Sequence, residues 1–166
     1  RWFIFEPTKM HNLAQQAITL NGNDTIGMIA HITSSLVSQH PEWTINTDFE
    51  DPANWVFNNA GGAMGSLFII HASMTEYLII FGTPLGTEGH SGRHPVENYF
   101  NILHGEQWAY APGALEREVR LASQNMESGV DPLLWLWHHV RMADELDLHS
   151  AKVYPAGAVN HMPRGV

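Results

Sequence analysis

The chain has 166 residues, 44% of them hydrophobic, enough for one domain with its own core and too few to argue for two. Eight Lys and Arg against seventeen Asp and Glu leave a formal charge of -9, which excludes the basic face that a nucleic-acid partner requires. There is no cysteine, so disulfides and thiolate metal sites are excluded too.

The chain opens on Arg1-Trp2-Phe3-Ile4-Phe5 without an initiator Met, and we expect that a segment with room for a membrane anchor precedes it. Pro7 suits a first helical turn, and Met10, Leu13, Ala14, Ala17 and Ile18 recur at the spacing of one helix face until Asn21-Gly22-Asn23 stops it. Asp24 is placed to cap a second helix that carries Met28, Ile29, Ile32 and Leu36 on one face, and His40-Pro41 forbids its continuation. Residues 1–41 therefore read as a helical pair.

From Trp55 onward, Gly61-Gly62, Gly65, Gly82, Gly86, Gly89 and Gly92 punctuate short runs rich in Ile, Phe, Leu and Tyr, the texture of strands and turns. Residues 67–72 and 76–83 are strand-length runs separated by Ser73-Met74-Thr75, which predicts an antiparallel hairpin buried on both faces. A further strand is expected over 98–103, and a loop over 107–115 around Pro112-Gly113. Residues 120–153 predict one amphipathic helix through Leu133-Leu134-Trp135-Leu136-Trp137. The longest apolar stretches, 67–70 and 77–81, fall far short of the roughly 18 to 20 residues that span a bilayer.

The words Trp55-Val56-Phe57-Asn58-Asn59-Ala60-Gly61-Gly62-Ala63-Met64-Gly65, His71-Ala72-Ser73, Glu76-Tyr77, Phe81-Gly82-Thr83 and Gly89-His90-Ser91-Gly92-Arg93 resemble, in this order, the C-8 sterol isomerase and sigma-type receptor family. Asn58-Asn59, Ala63 and Tyr99-Phe100-Asn101-Ile102-Leu103-His104-Gly105 are similar to the fungal isomerase branch. The resemblance runs over 2–119 and resumes at Tyr154, so that 120–153 reads as an atypical insertion, and 54–119 with 154–166 as barrel. It implies a mainly β fold, a cupin-like barrel preceded by the helical pair and incomplete in this chain. It also implies an anchor and C-terminal membrane-facing helices outside the chain, the endoplasmic reticulum membrane as location, and a homotrimer as the assembly.

The activity implied is movement of a sterol double bond from the 8 to the 7 position in ergosterol synthesis. That needs an acid to protonate C9, a stabilised cation at C8 and a base to take a proton from C7, and no redox cofactor or metal. A carboxyl buried among apolar groups keeps its proton near neutral pH, because burial penalises the carboxylate. Glu97, just after Arg93-His94-Pro95-Val96, is the acid/base candidate by resemblance; an exposed turn glutamate is the plain alternative. The second acid of the family lies in a later strand, so this chain by itself is expected to be inactive.

The resemblance gives Tyr77, Leu67, Ile69, Ile79, Phe81 and His161 to the ligand pocket, and the spacing by two along each strand puts the four aliphatic and aromatic positions on one face. Each also reads as ordinary core, and His161 as a solvated loop histidine. Glu76 alternates to the face opposite Tyr77 and reads as a structural hydrogen-bonding residue. Eleven histidines raise a metal site, yet no His-x-His or HExxH occurs. The other function implied is non-catalytic: a sigma-receptor-like binder of sterols or cationic amphiphilic amines, which as mimics of the cationic intermediate would also inhibit the isomerase.

Overall fold

The computed structural model describes residues 3–60, 62–84, 86–90, 97–110, 115–122, 133–139 and 150–154. Two helices come first. Helix α1 (Pro7–Asn21) starts with Pro7, whose missing N–H would have had no helical partner, and ends at Gly22 with φ 59. In α2 (Thr25–Gln39) the Asp24 side chain accepts from the Gly27 amide at 3.0 Å, and the helix ends before His40 and Pro41. The faces expected to be apolar are the buried ones: Met10, Leu13, Ala14 and Ala17 on α1, with Met28, Ile29, Ile32 and Leu36 on α2.

Nine strands follow among the described residues, in two antiparallel sheets. They are β1 (Trp55–Ala60), β2 (Ala63–Ala72), β3 (Glu76–Gly82), β4 (Thr87–His90), β5 (Glu97–Ile102), β6 (Glu106–Tyr110), β7 (Glu118–Leu121), β8 (Leu133–His139) and β9 (Ser150–Tyr154). The larger sheet runs β1-β2-β3-β8-β5, and the smaller β4-β9-β6-β7. The fold is thus mainly β with N-terminal helices, as the sequence led us to expect, and its sheets are not closed on one another among the described residues.

Three sequence expectations are corrected. The loop expected over 107–115 begins instead with β6, where Gln107 and Trp108 are both buried. The helix expected within 120–153 is replaced by β8 and the start of β9; Leu133–His139 is rich in aromatic and branched residues and pairs on both sides, with β3 and with β5. The hairpin of β2 and β3 is present, but β2 is not buried on both faces: Phe68 and Ile70 are sealed, whereas Ile69 between them is 40% exposed.

The sealed face has a single cause. Phe68, Ile70, Leu78 and Ile80 pack with the inner faces of α1 and α2 in one apolar cluster that also takes in Phe5 and Phe49. Four such side chains moved out of water stabilise the sheet–helix contact by about 6 to 12 kcal/mol before the entropy of ordering them is set against it.

Candidate functional site

The other face of β2 and β3 carries the positions expected to line a ligand cavity. In register, Leu67 stands opposite Phe81 and Ile69 opposite Ile79, so the four form two direct cross-strand pairs on the side turned away from the helices. Ile79 is buried, Leu67 and Phe81 are partly buried and Ile69 is exposed. The Phe81 ring lies over Gly65, where an added Cβ would meet the ring and stand 2.6 Å from the Gly82 carbonyl oxygen. Only glycine admits the ring there.

A register shift between Ile69 and His71 decides which side chains stay on this face. The extra residue brings His71 opposite Leu78 and Ala72 opposite Tyr77, so Ile70 and His71 both turn into the core, at 1% and 6% exposure. His71 is then held by Nδ1 against the Thr44 carbonyl at 2.8 Å and edge-on to the rings of Phe5 and Trp43. Asn46 secures the bulge: its amide donates to the Ile70 carbonyl at 2.7 Å and its side chain to that of Ile69 at 3.3 Å.

Tyr77 stays on the open side, half-buried, and burial pushes its phenol up from 10.0 to about 12. It is therefore a neutral hydroxyl at any physiological pH, able to donate and to accept a hydrogen bond. Its neighbour Glu76 goes the opposite way, as alternation predicts: it is 1% exposed, and its carboxylate accepts from the backbone amides of Ile4 and of Phe5, the latter at 3.4 Å. Glu76 is a clamp on the segment before α1, the structural role expected of it.

Glu97 opens β5 opposite His139, which is itself opposite Glu76. Along β5 its backbone position shares parity with Tyr99 and Asn101, and the Asn101 side chain meets His11 Nδ1 on α1 at 2.8 Å. Asn98, not Glu97, stands in line with Tyr77 across His138. His161 lies outside the described residues. Among the described residues no group of three His, Asp or Glu side chains is placed to hold a metal ion, and no helix is long and apolar enough to cross a membrane.

A further buried polar residue is not legible in the sequence. Gln107 on β6 is 0% exposed, and among the described residues neither its Nε2 nor its Oε1 has a hydrogen-bond partner. The alternation Glu106-Gln107-Trp108-Ala109-Tyr110, with aromatic residues two apart, was the available signal for this strand.

The family described as ERG2 and Sigma1 receptor like protein matches residues 1–126. The chain belongs to this family. A family member from Pyricularia oryzae named C-8 sterol isomerase is 44% identical over 164 residues, 99% of this chain and 58% of that protein. The C-8 sterol isomerase erg2 of Aspergillus fumigatus is 53% identical over 119 residues, 72% of this chain and 48% of its own length. The sigma non-opioid intracellular receptor 1 of Gallus gallus is 36% identical over 117 residues, 70% of this chain and 50% of the receptor. The chain spans about half the length of the curated relatives it matches. Among solved structures, an RmlC-like cupin from Shewanella frigidimarina aligns over 70% of this chain and 98% of its own at 14% identity and a TM-score of 0.36, a likeness on which nothing further is built.

Proposed function

We propose that this protein is a C-8 sterol isomerase of ergosterol biosynthesis at the endoplasmic reticulum membrane. The observation that carries the reading is the 44% and 53% identity to fungal proteins of that name, against 36% to a sigma receptor. In the reaction a proton is added at C9 of the 8-ene sterol, the positive charge resides at C8, and loss of a proton from C7 leaves the double bond between C7 and C8. Proton count is conserved, so no redox partner is needed.

The sheet supports a greasy, flat substrate. Leu67, Ile69, Ile79 and Phe81 offer an apolar face for a steroid ring system, and Tyr77 adds one neutral hydroxyl at its margin. His161 is proposed as a further contact. Glu97 is proposed as the proton donor because it follows the Gly89-His90-Ser91-Gly92-Arg93 word shared with the family. The register of β5 weighs against it, since Glu97 has the parity of Asn101, whose side chain meets α1; the test is therefore set on this residue. Residues 120–153 are proposed to be an insertion between barrel segments, cationic amines to inhibit as mimics of the C8 cation, and a homotrimer to be the assembly.

The experiment is complementation of an isomerase-deficient fungus with the full-length coding sequence and with its Glu97→Gln variant, reading sterols by mass. Conversion of 8-ene to 7-ene sterol is expected from the parent, and accumulation of the 8-ene sterol from Glu97→Gln. A parent that converts nothing overturns the isomerase reading; full conversion by Glu97→Gln removes Glu97 from the proton transfer and leaves the rest standing.

A further inference from the structure

A primary amide in the protein interior with neither atom bonded is costly, because both groups have given up water and gained nothing. Native structures tolerate few such groups, and each calls for an occupant. Gln107 is such a residue: 0% exposed, with Nε2 and Oε1 both unpartnered among the described residues, on a β-strand whose backbone is paired on both sides, with β7 and with β9.

The direction of its side chain follows from its neighbour. Arg117, itself exposed, stacks on the Trp108 ring with its guanidinium 3.7 Å from the ring centre. Val119, opposite Trp108, is 40% exposed, and Leu121 on the same side of β7 is 42% exposed. That face, on which Trp108 itself is 5% exposed beneath Arg117, meets solvent at Val119 and Leu121, and strand alternation sends Gln107 to the opposite one. We propose that the Gln107 carboxamide is the polar anchor of the sterol site and receives the 3-hydroxyl of the sterol.

The chemistry of the pair is specific. A hydroxyl accepts from Nε2 and donates to Oε1 at once, which satisfies both orphaned atoms with one ligand group. A 3-ketone accepts from Nε2 alone, an ammonium donates to Oε1 alone, and a 3-deoxy sterol leaves both unmet. The order of fit is therefore 3-hydroxy, then 3-keto, then 3-deoxy. This anchor deepens the isomerase reading and rests on it for the choice of a sterol.

The test compares binding of an 8-ene 3-hydroxysterol, its 3-keto and its 3-deoxy analogue to the full chain in detergent micelles, for the parent, Gln107→Leu and Gln107→Met, with thermal melts of each. The parent is expected to bind the 3-hydroxysterol about tenfold more tightly than the 3-deoxy compound, and the variants to bind the two alike. Both variants are expected to melt no lower than the parent without ligand, since an apolar side chain of similar length removes the unmet polar atoms. An amide serving the protein's own architecture predicts the reverse, and melts well below the parent in both variants overturn the anchor. So does an undiminished preference for the 3-hydroxyl in Gln107→Leu and Gln107→Met, or equal affinities in the parent, which would leave the amide to a buried water. If the parent binds no sterol at all, anchor and isomerase reading fall together. A preserved preference in variants that still bind the sterol sinks the anchor alone.

Discussion

Replacing Glu76 by Gln changes one atom in the most buried carboxylate described, at 1% exposure. The carboxylate offers acceptors to two backbone donors, the amides of Ile4 and Phe5. The amide of Gln offers one oxygen and puts an NH2 group against whichever donor remains. At 3.4 Å the Phe5 contact is weak, so the Ile4 contact carries most of the effect. Loss of a charged hydrogen bond costs about 1.5 to 3 kcal/mol, and a buried donor left facing another donor brings the total to about 2 to 4 kcal/mol. For a chain of this size that corresponds to a fall in Tm of roughly 4 to 16 °C. Glu76→Ala is expected to fall further, since it strands both amides and opens a cavity. The segment held is not incidental: the Phe5 ring is 2% exposed and wedged edge-on against His40 at 5.3 Å and His71 at 5.4 Å between centroids. Thermal melts followed by circular dichroism, with hydrogen exchange at the Ile4 and Phe5 amides, read the effect directly. A Glu76→Gln protein that melts within about a degree of the parent and keeps both amides protected would refute the clamp.

Gly65→Ala places a methyl group against the Phe81 ring and 2.6 Å from the Gly82 carbonyl oxygen, so either the ring leaves the β2 surface or the hairpin spreads. We expect a loss of about 1 to 3 kcal/mol in a urea titration, together with weakened sterol binding. Tyr77 makes a prediction in pH. Its pKa is raised in the folded state, from 10.0 to about 12, so its contribution to stability is fully present below pH 10 and is lost as pH rises toward 12. Absorbance titration of the phenolates should show a step near pH 12, and Tyr77→Phe should abolish that late step; a parent without it contradicts the burial.

Where local chemistry decides the element, the residues were legible in advance. Pro7 at the start of α1, Asp24 beneath Gly27 and His40-Pro41 after α2 are signals whose physics acts within four residues, and the helices begin and end beside them. Spacing by two likewise identified the shared face of Leu67, Ile69, Ile79 and Phe81. The failures lie where pairing partners decide. Leu133-Leu134-Trp135-Leu136-Trp137 has no period that separates a buried strand from a helix, and what makes it β8 is the pair of edges offered by β3 and β5, far away in sequence. The bulge after Ile69 left no mark in composition, because an inserted residue in a strand of Ile, His and Ala looks like any other; only the register reveals that His71 joined the core. Gln107 reads as loop from sequence because Pro112-Gly113 dominates its surroundings, and a polar residue in a strand gives no hint that its amide will be left alone.

The two faces of the β2–β3 hairpin divide the work, and the bulge is what keeps them distinct. On the helix side, Phe68, Ile70, Leu78 and Ile80 are sealed at 2% exposure or less, and Glu76 locks the segment before α1 onto the same side. Packing this tight leaves no freedom to admit a ligand, and a close-packed interior transmits any displacement. The opposite side is graded, from buried Ile79 through partly covered Leu67 and Phe81 to Ile69 at 40% exposure. An apolar surface left that open is costly in water and gains when a flat hydrocarbon covers it. Had the strand continued without its extra residue, His71 would have fallen on that open side beside Ile69, bringing a polar ring to the face proposed for the sterol and withdrawing its support from Phe5. One added residue thus keeps the open face apolar and anchors the segment before α1, so the rigidity of one face and the apolar character of the other come from the same irregularity.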